Sequence, residues 1–221
     1  MADPARSAFE PRKLPIQARS TLTVEAISEA TIQVLLSHGA DRLTTTRVAE
    51  RAGVSVGTLY QYYPNKQALL FAVLEDHLDK VAAAVETACQ RARGKPLMEM
   101  MKDVAEAFVD AKMRRTDIST ALYRIAAGVD GPALVKRTGE RSQKALEAML
   151  RTTPDAAMPQ DKFAIQMMFA VMAGATRSVL EAGASPAMVR KVRHHLVLLC
   201  QSYMMAAAGW PPSQEWVGHQ L

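Results

Sequence analysis

Apolar residues recur every three or four positions along most of this chain, and no long run alternates with period two. Val24, Ile27, Thr31, Val34 and Leu35 share one face of a helix that Thr23 caps and Gly39 ends. Val48, Ala49 and Ala52 mark the inner side of a second helix, between the threonine run at 44–46 and Gly53. Leu59 is the inward anchor of a short third helix that opens after Ser55 and stops at Pro64. From Lys66 to about Arg93 a stripe of Leu69, Leu70, Val73, Leu74, His77, Leu78 and Val81 predicts a rod about 40 Å long, at about 1.5 Å per residue. Gly94 and Pro96 stop it. Five more helical stretches follow, from Leu97, Ile118, Pro132, Asp161 and Pro186. Gly128 closes the second of them and Gly183 the fourth, while Ser185-Pro186 is an N-cap with a first-turn proline opening the last. The pattern predicts an all-α chain of about nine helices.

Four regions follow from the same pass. Residues 1–19 hold three prolines, scattered charge and little apolar pattern, and read as a flexible arm. Arg6, Arg12, Lys13 and Arg19 give that arm cations that can touch DNA, although a solvated tail explains them as well. Residues 20–80 form a first helical domain, 81–210 a second, and 211–221 a tail after Trp210-Pro-Pro.

Composition narrows the class. With 49% hydrophobic and 22% charged residues there is ample material for a core. Net charge is +5, and residues 1–66 carry only +2 of it, so charge permits a nucleic-acid partner without locating one. Cys89 and Cys200 sit in apolar contexts, as buried thiols in a reducing cytoplasm would. The N-terminus lacks an apolar signal core. Phe163–Val179 is interrupted by Gln166 and Arg177, and Leu196–Ala208 is shorter still, so neither meets the roughly 20 residues of a membrane span. Catalytic constellations are missing. His194 and His195 are adjacent and diverge on a helix, His38, His77 and His219 are scattered, and no phosphate-binding glycine loop or nucleophile elbow occurs. We therefore expect no enzyme, metal or cofactor.

The stretch Thr44 to Lys66 carries the chemistry. It reads as helix, tight turn, short helix, stop, the build of a helix-turn-helix whose second helix enters the major groove of DNA. Ala49 lets two helices cross closely, Gly53 supplies a positive φ, and Ser55 and Asn65 can cap the helices that follow them. Thr44 is the expected N-cap of the first of the two helices, with Thr46 and Arg47 in its first turn. Val56, Gly57, Thr58 and Gln61 form the expected reading face, since glutamine pairs with adenine and a threonine methyl meets a thymine methyl. Tyr60 and Tyr62 read two ways, as phosphate contacts or as core aromatics, and Arg47 as a DNA contact or a solvated charge.

Arg47-Val-Ala-Glu-Arg-Ala-Gly-Val-Ser, Gly57-Thr-Leu-Tyr, Tyr62-Tyr-Pro-Asn-Lys and Ala68-Leu-Leu at this spacing resemble the DNA-binding domain of the TetR family of transcriptional regulators. The resemblance covers Ala18 to about Lys80; downstream, helical pattern and length agree. It implies DNA contacts at Thr44, Thr46, Arg47, Ser55, Val56, Gly57, Thr58, Tyr60, Gln61, Tyr62 and Lys66. It also implies an effector pocket among the middle helices, for which Met101, Phe108 and Tyr123 are the candidates. One head reads only a few base pairs, so a homodimer on a palindromic operator is expected. Its interface falls on the last two helices, through Ala170, Ala173, Gly174, Leu199 and Tyr203. The implied function is a ligand-responsive repressor; a helical protein adaptor and an activator of the same fold are the alternatives. Two positions depart from the family pattern. Thr45 stands where the family is usually apolar, with its methyl expected inward, and Tyr63 where phenylalanine is commoner.

Overall fold

A computed structural model describes residues 18–155 and 162–209. Among them are nine α-helices and no strand: α1 (Ala18–Arg42), α2 (Thr45–Ala52), α3 (Val56–Tyr62), α4 (Lys66–Arg91), α5 (Leu97–Met113), α6 (Thr116–Ile125), α7 (Gly131–Leu150), α8 (Lys162–Glu181) and α9 (Pro186–Ala207). A single 3-10 turn, Ala126–Val129, joins α6 to α7. Residues 1–17 of the expected arm and the tail at 211–221 lie outside the described residues, whereas residues 18 and 19, read as the end of the arm, already belong to α1.

The punctuation works largely as its chemistry predicts. Gly39, Gly94 and Gly183 adopt φ of 77°, 77° and 92°, where a side chain would be strained. Ser185 accepts the Met188 amide and Asn65 the Ala68 amide, capping α9 and α4. One end differs from expectation. Helix α1 begins at Ala18, leaving Thr23 in its interior, because nothing between Ala18 and Leu22 interrupts it, and it resumes past Gly39 as far as Arg42. A cap comes from far along the chain: Pro96 has no side-chain cap to offer α5, and the Asp155 carboxylate accepts the Leu97 amide at 2.6 Å.

The chain divides into two compact units. The first holds residues up to Asp79 together with Asp117–Lys136, and the second Lys80–Thr116 together with residues from Arg137 onward. Residues 117–136, which the sequence division assigned to the second domain, therefore pack with the first. The reason is visible in their apolar positions: Leu122, Ile125, Val129 and Leu134 join Leu74 and Leu78 in one core. That core also holds Ile27, Leu43, Val48 and Leu59, each at most 1% exposed. Thr31 is buried there because its hydroxyl donates back to the Ile27 carbonyl at 2.7 Å.

The second unit is built on α5, α8 and α9 with the later parts of α4 and α7. Its core is rich in methionine: Met100, Met101, Met149, Met168, Met172 and Met204 are all buried. Lys112 is also buried, and burial lowers its ammonium from 10.5 to about 8. Both thiols, Cys89 and Cys200, are buried and unbridged. Helix α8 falls within the stretch expected from Asp161 to Gly183, but its 20 residues carry the apolar run past Phe163–Val179, so by length and composition it could cross a bilayer. In the fold its stripe Ala164, Ile165, Met168, Met172, Thr176 and Leu180 is buried within this unit.

Candidate nucleic-acid interface

The first unit packs α2 against α3, and the contacts that shape the turn between them have local sequence origins. Thr44 caps α2 as expected, its hydroxyl accepting the Arg47 amide at 3.3 Å. Gly53 takes the left-handed conformation, φ 68° and ψ 29°. Its amide reaches the Glu50 carbonyl at 3.2 Å and the Val54 amide reaches Ala49 at 3.0 Å. This paired closure of the last helical carbonyls turns the chain sharply, and its left-handed torsion favours glycine. Ser55 then opens α3 by accepting the Thr58 amide at 2.9 Å. Leu59, fully buried, plugs the crossing, and Tyr63 ends α3 with its amide on the Leu59 carbonyl. Tyr63 is buried, and burial, aided by the nearby Asp76 and Glu75 charges, pushes its phenol up to about 12. Arg51 adds a brace, donating from Nε to Gln33 Oε1 of α1 at 2.6 Å.

The outward side of α3 carries most of the residues expected to read DNA. Val56, Gly57, Tyr60 and Gln61 are exposed, with Tyr60 at 42%. Thr58 is half-buried, and its hydroxyl lies 2.8 Å from that of Ser55. Thr44, Thr46, Arg47 and Ser55 are exposed. Arg47 is partly committed, with Nη1 donating to the Arg42 carbonyl at the end of α1 at 2.6 Å. Tyr62 is half-buried against the core, close to the core-aromatic reading. Lys66 is the half-buried first residue of α4. One feature escaped the sequence: the Thr45 hydroxyl lies 3.1 Å from the Tyr60 hydroxyl and ties the start of α2 to the outer side of α3. Its only sequence signal was a polar residue at a usually apolar position.

The second unit treats its candidates unevenly. Ala170 and Gly174 of α8 and Leu199 and Tyr203 of α9 are exposed, whereas Ala173 is half-buried against the core. The exposed set is extended by Phe163 (59% exposed), Met167 and Leu198, which the sequence reading had not placed in the interface. Met101 and Phe108 are core residues, with Phe108 and Phe169 rings tilted at 6.5 Å. Tyr123 belongs to the first unit, so the three effector candidates do not share one packed core. A cleft of about 290 Å³ in the second unit is lined by Glu86, Cys89, Gln90, Arg93, Ala145, Ala148 and Met149, and by none of the three. Among the described residues no group of three or more His, Cys, Asp or Glu could hold a metal ion.

Comparison with known proteins agrees with this geometry. The family model for bacterial regulatory proteins of the tetR family matches residues 27–73, and that for a tetracyclin repressor-like C-terminal domain matches residues 96–204. The transcriptional repressor KstR of Mycolicibacterium smegmatis is 37% identical over 62 residues, covering 28% of this chain and 30% of that protein. KstR of Rhodococcus jostii is 28% identical over 107 residues, covering 48% and 49%. The chain thus matches between about a third and half of the length of these curated relatives. A TetR-family structure from Mesorhizobium loti superposes with a TM-score of 0.70 at 14% identity, over 86% of this chain and 98% of that one. With a helix-turn-helix capped at Thr44 and Ser55 and turned at Gly53, and the two family models together accounting for most of its length, this chain belongs to the TetR family of bacterial transcriptional regulators.

Proposed function

We propose that the protein is a sequence-specific repressor that binds a palindromic operator as a homodimer through α3 and is released by a small apolar effector. The carrying observation is the outward face of α3, where Val56, Gly57 and Gln61 stand exposed while Leu59 anchors the same helix in the core. A short helix with one face buried and the other open, uncharged and built mostly of small side chains, has the shape a major groove accepts. The adaptor reading has no observation of this kind in its favour.

Two further parts of the proposal rest on the second unit. Phe163, Met167, Leu198, Leu199 and Tyr203 put apolar area on the outside of α8 and α9, and this many exposed large apolar side chains on two helices favours a partner surface. An identical α8–α9 pair from a second copy would cover it as a four-helix interface, and Ala170 and Gly174 would permit close approach. For the effector, the methionine-rich core around Met101 and Phe108 is adaptable enough to open around an apolar molecule. Such a molecule shifts the balance only by binding the released state more tightly than the DNA-bound state. The expected setting is the cytoplasm, where Cys89 and Cys200 stay reduced.

Selection of bound fragments from a random DNA pool tests the reading directly. A palindrome whose half-sites lie about one helical turn apart, roughly 34–36 Å, is the expected result. Binding that shows no sequence enrichment and no salt dependence would refute it.

A further inference from the structure

We propose that Thr45 is a positioning residue for DNA binding: its hydroxyl holds the Tyr60 phenol in place as a phosphate-directed hydrogen-bond donor. The inference rests on the DNA-binding reading above and adds a residue to it. Tyr60 is 42% exposed on the reading helix, and its hydroxyl lies 3.1 Å from Thr45 Oγ1 on the neighbouring helix. An exposed phenol with no partner rotates among several rotamers, and freezing it on binding costs affinity. Thr45 removes part of that freedom beforehand. It is β-branched and stiff at χ1, and it is the first residue of α2, which is held by the Thr44 cap and the Gly53 closure. As the first helical residue it has no preceding turn of its own helix whose carbonyls can take its hydroxyl, the usual fate of a helical threonine. The Tyr60 oxygen takes that place.

The direction of the hydrogen bonds follows from the ligand. A phosphate oxygen only accepts, so toward DNA the Tyr60 O–H must donate outward, and its oxygen is then open to accept from Thr45. The result is a directed chain, Thr45 O–H to Tyr60 oxygen and Tyr60 O–H to phosphate, in which each bond strengthens the next. A valine at 45 would keep the shape and lose the chain. The departure of residue 45 from the family's apolar pattern is thus matched to a tyrosine that gains from it.

The test uses the full-length protein with Thr45→Val, Thr45→Ser, Tyr60→Phe and the Thr45→Val/Tyr60→Phe pair. The probe is a fluorescent duplex of a fragment enriched by the wild-type protein from a random pool, titrated between about 50 and 200 mM salt. We expect Thr45→Val to bind about three- to ten-fold more weakly with an unchanged salt slope, because a neutral hydroxyl releases no counterion. Thr45→Ser should recover most of the loss, and the double variant should bind no worse than Tyr60→Phe alone. Melting temperatures of the Thr45 variants should match the wild type. Wild-type affinity in Thr45→Val, or losses from Thr45→Val and Tyr60→Phe that multiply, would overturn the inference and leave DNA binding standing. A wild-type protein that enriches no DNA would overturn both.

Discussion

At residue 53 the whole geometry of the reading head turns on one torsion. Gly53 has φ 68°, and no atom lies within 4 Å of where a Cβ would stand. Gly53→Ala therefore meets no clash and suffers only the left-handed backbone penalty. We expect it to lower stability by about 1 kcal/mol in urea denaturation, with a larger loss in DNA binding because α3 tilts. Different outcomes are expected at Gln61 and Lys66. Gln61 is exposed on α3, so Gln61→Ala should cost about 1–3 kcal/mol on the preferred sequence and relax preference at one base position. Lys66→Ala should weaken all sequences alike and reduce the salt slope by about 1, as expected when a single phosphate contact is lost. Titrating one preferred and one scrambled duplex against each variant separates the two outcomes.

Individual elements carry a second kind of constraint, two-sidedness. Helices α8 and α9 each bury one stripe within their own unit: Met168 and Met172 on the first, Leu196 and Cys200 on the second. Each also presents an apolar outer stripe, with Leu199 40% exposed. Leu199→Glu leaves the inner stripe untouched and places a charge on the outer one. Sedimentation should show a dimer for the wild type and a monomer for Leu199→Glu, with melting little changed at matched low concentration. If the wild type also sediments as a monomer, this face does not pair. The corner before α7 is constrained by space instead. A Cβ on Gly131 would lie 2.5 Å from the Ala126 carbonyl oxygen, so Gly131→Ala must push the 3-10 turn away from α7. We expect a loss of about 1–3 kcal/mol in the first unit, read by thermal denaturation.

For the molecule as a whole, buried titratable groups determine the alkaline limit. Burial raises the thiols of Cys89 and Cys200 from 9.0 to about 12 and the Tyr63 phenol from 10.0 to about 12. The folded chain holds these protons after the unfolded chain has released them. Their contribution to stability is therefore complete below about pH 9 and lost between 9 and 12. Lys112 acts with the opposite sign. Its folded value of about 8 lies below 10.5, so its penalty is full below pH 8 and fades as pH rises to about 10.5. The thiols outnumber it, and we expect the melting temperature to fall from about pH 9 upward. Lys112→Met should steepen that fall between about 9 and 10.5, and the slope of melting temperature against pH for the two proteins checks it.

Much of this protein was legible along the chain, because its signals are local. A capping hydroxyl acts within three residues, a left-handed glycine within five, and an apolar stripe repeats every turn. Thr44, Gly53, Ser55, Leu59 and Asn65 therefore announced the reading head, and the glycines and prolines bounded most of the nine helices among the described residues. Non-local pairing stayed hidden. No local rule places Asp155 on the Leu97 amide, sends residues 117–136 to the first unit, or joins the hydroxyls of Thr45 and Tyr60. Nor does periodicity say which side of an all-round apolar helix is covered, so Ala173 was grouped with Ala170 and Gly174 although only the latter two face outward. The order of residues determined the helices, their ends and the DNA-reading motif. Packing between segments distant in sequence decided which of those surfaces remain open to a partner.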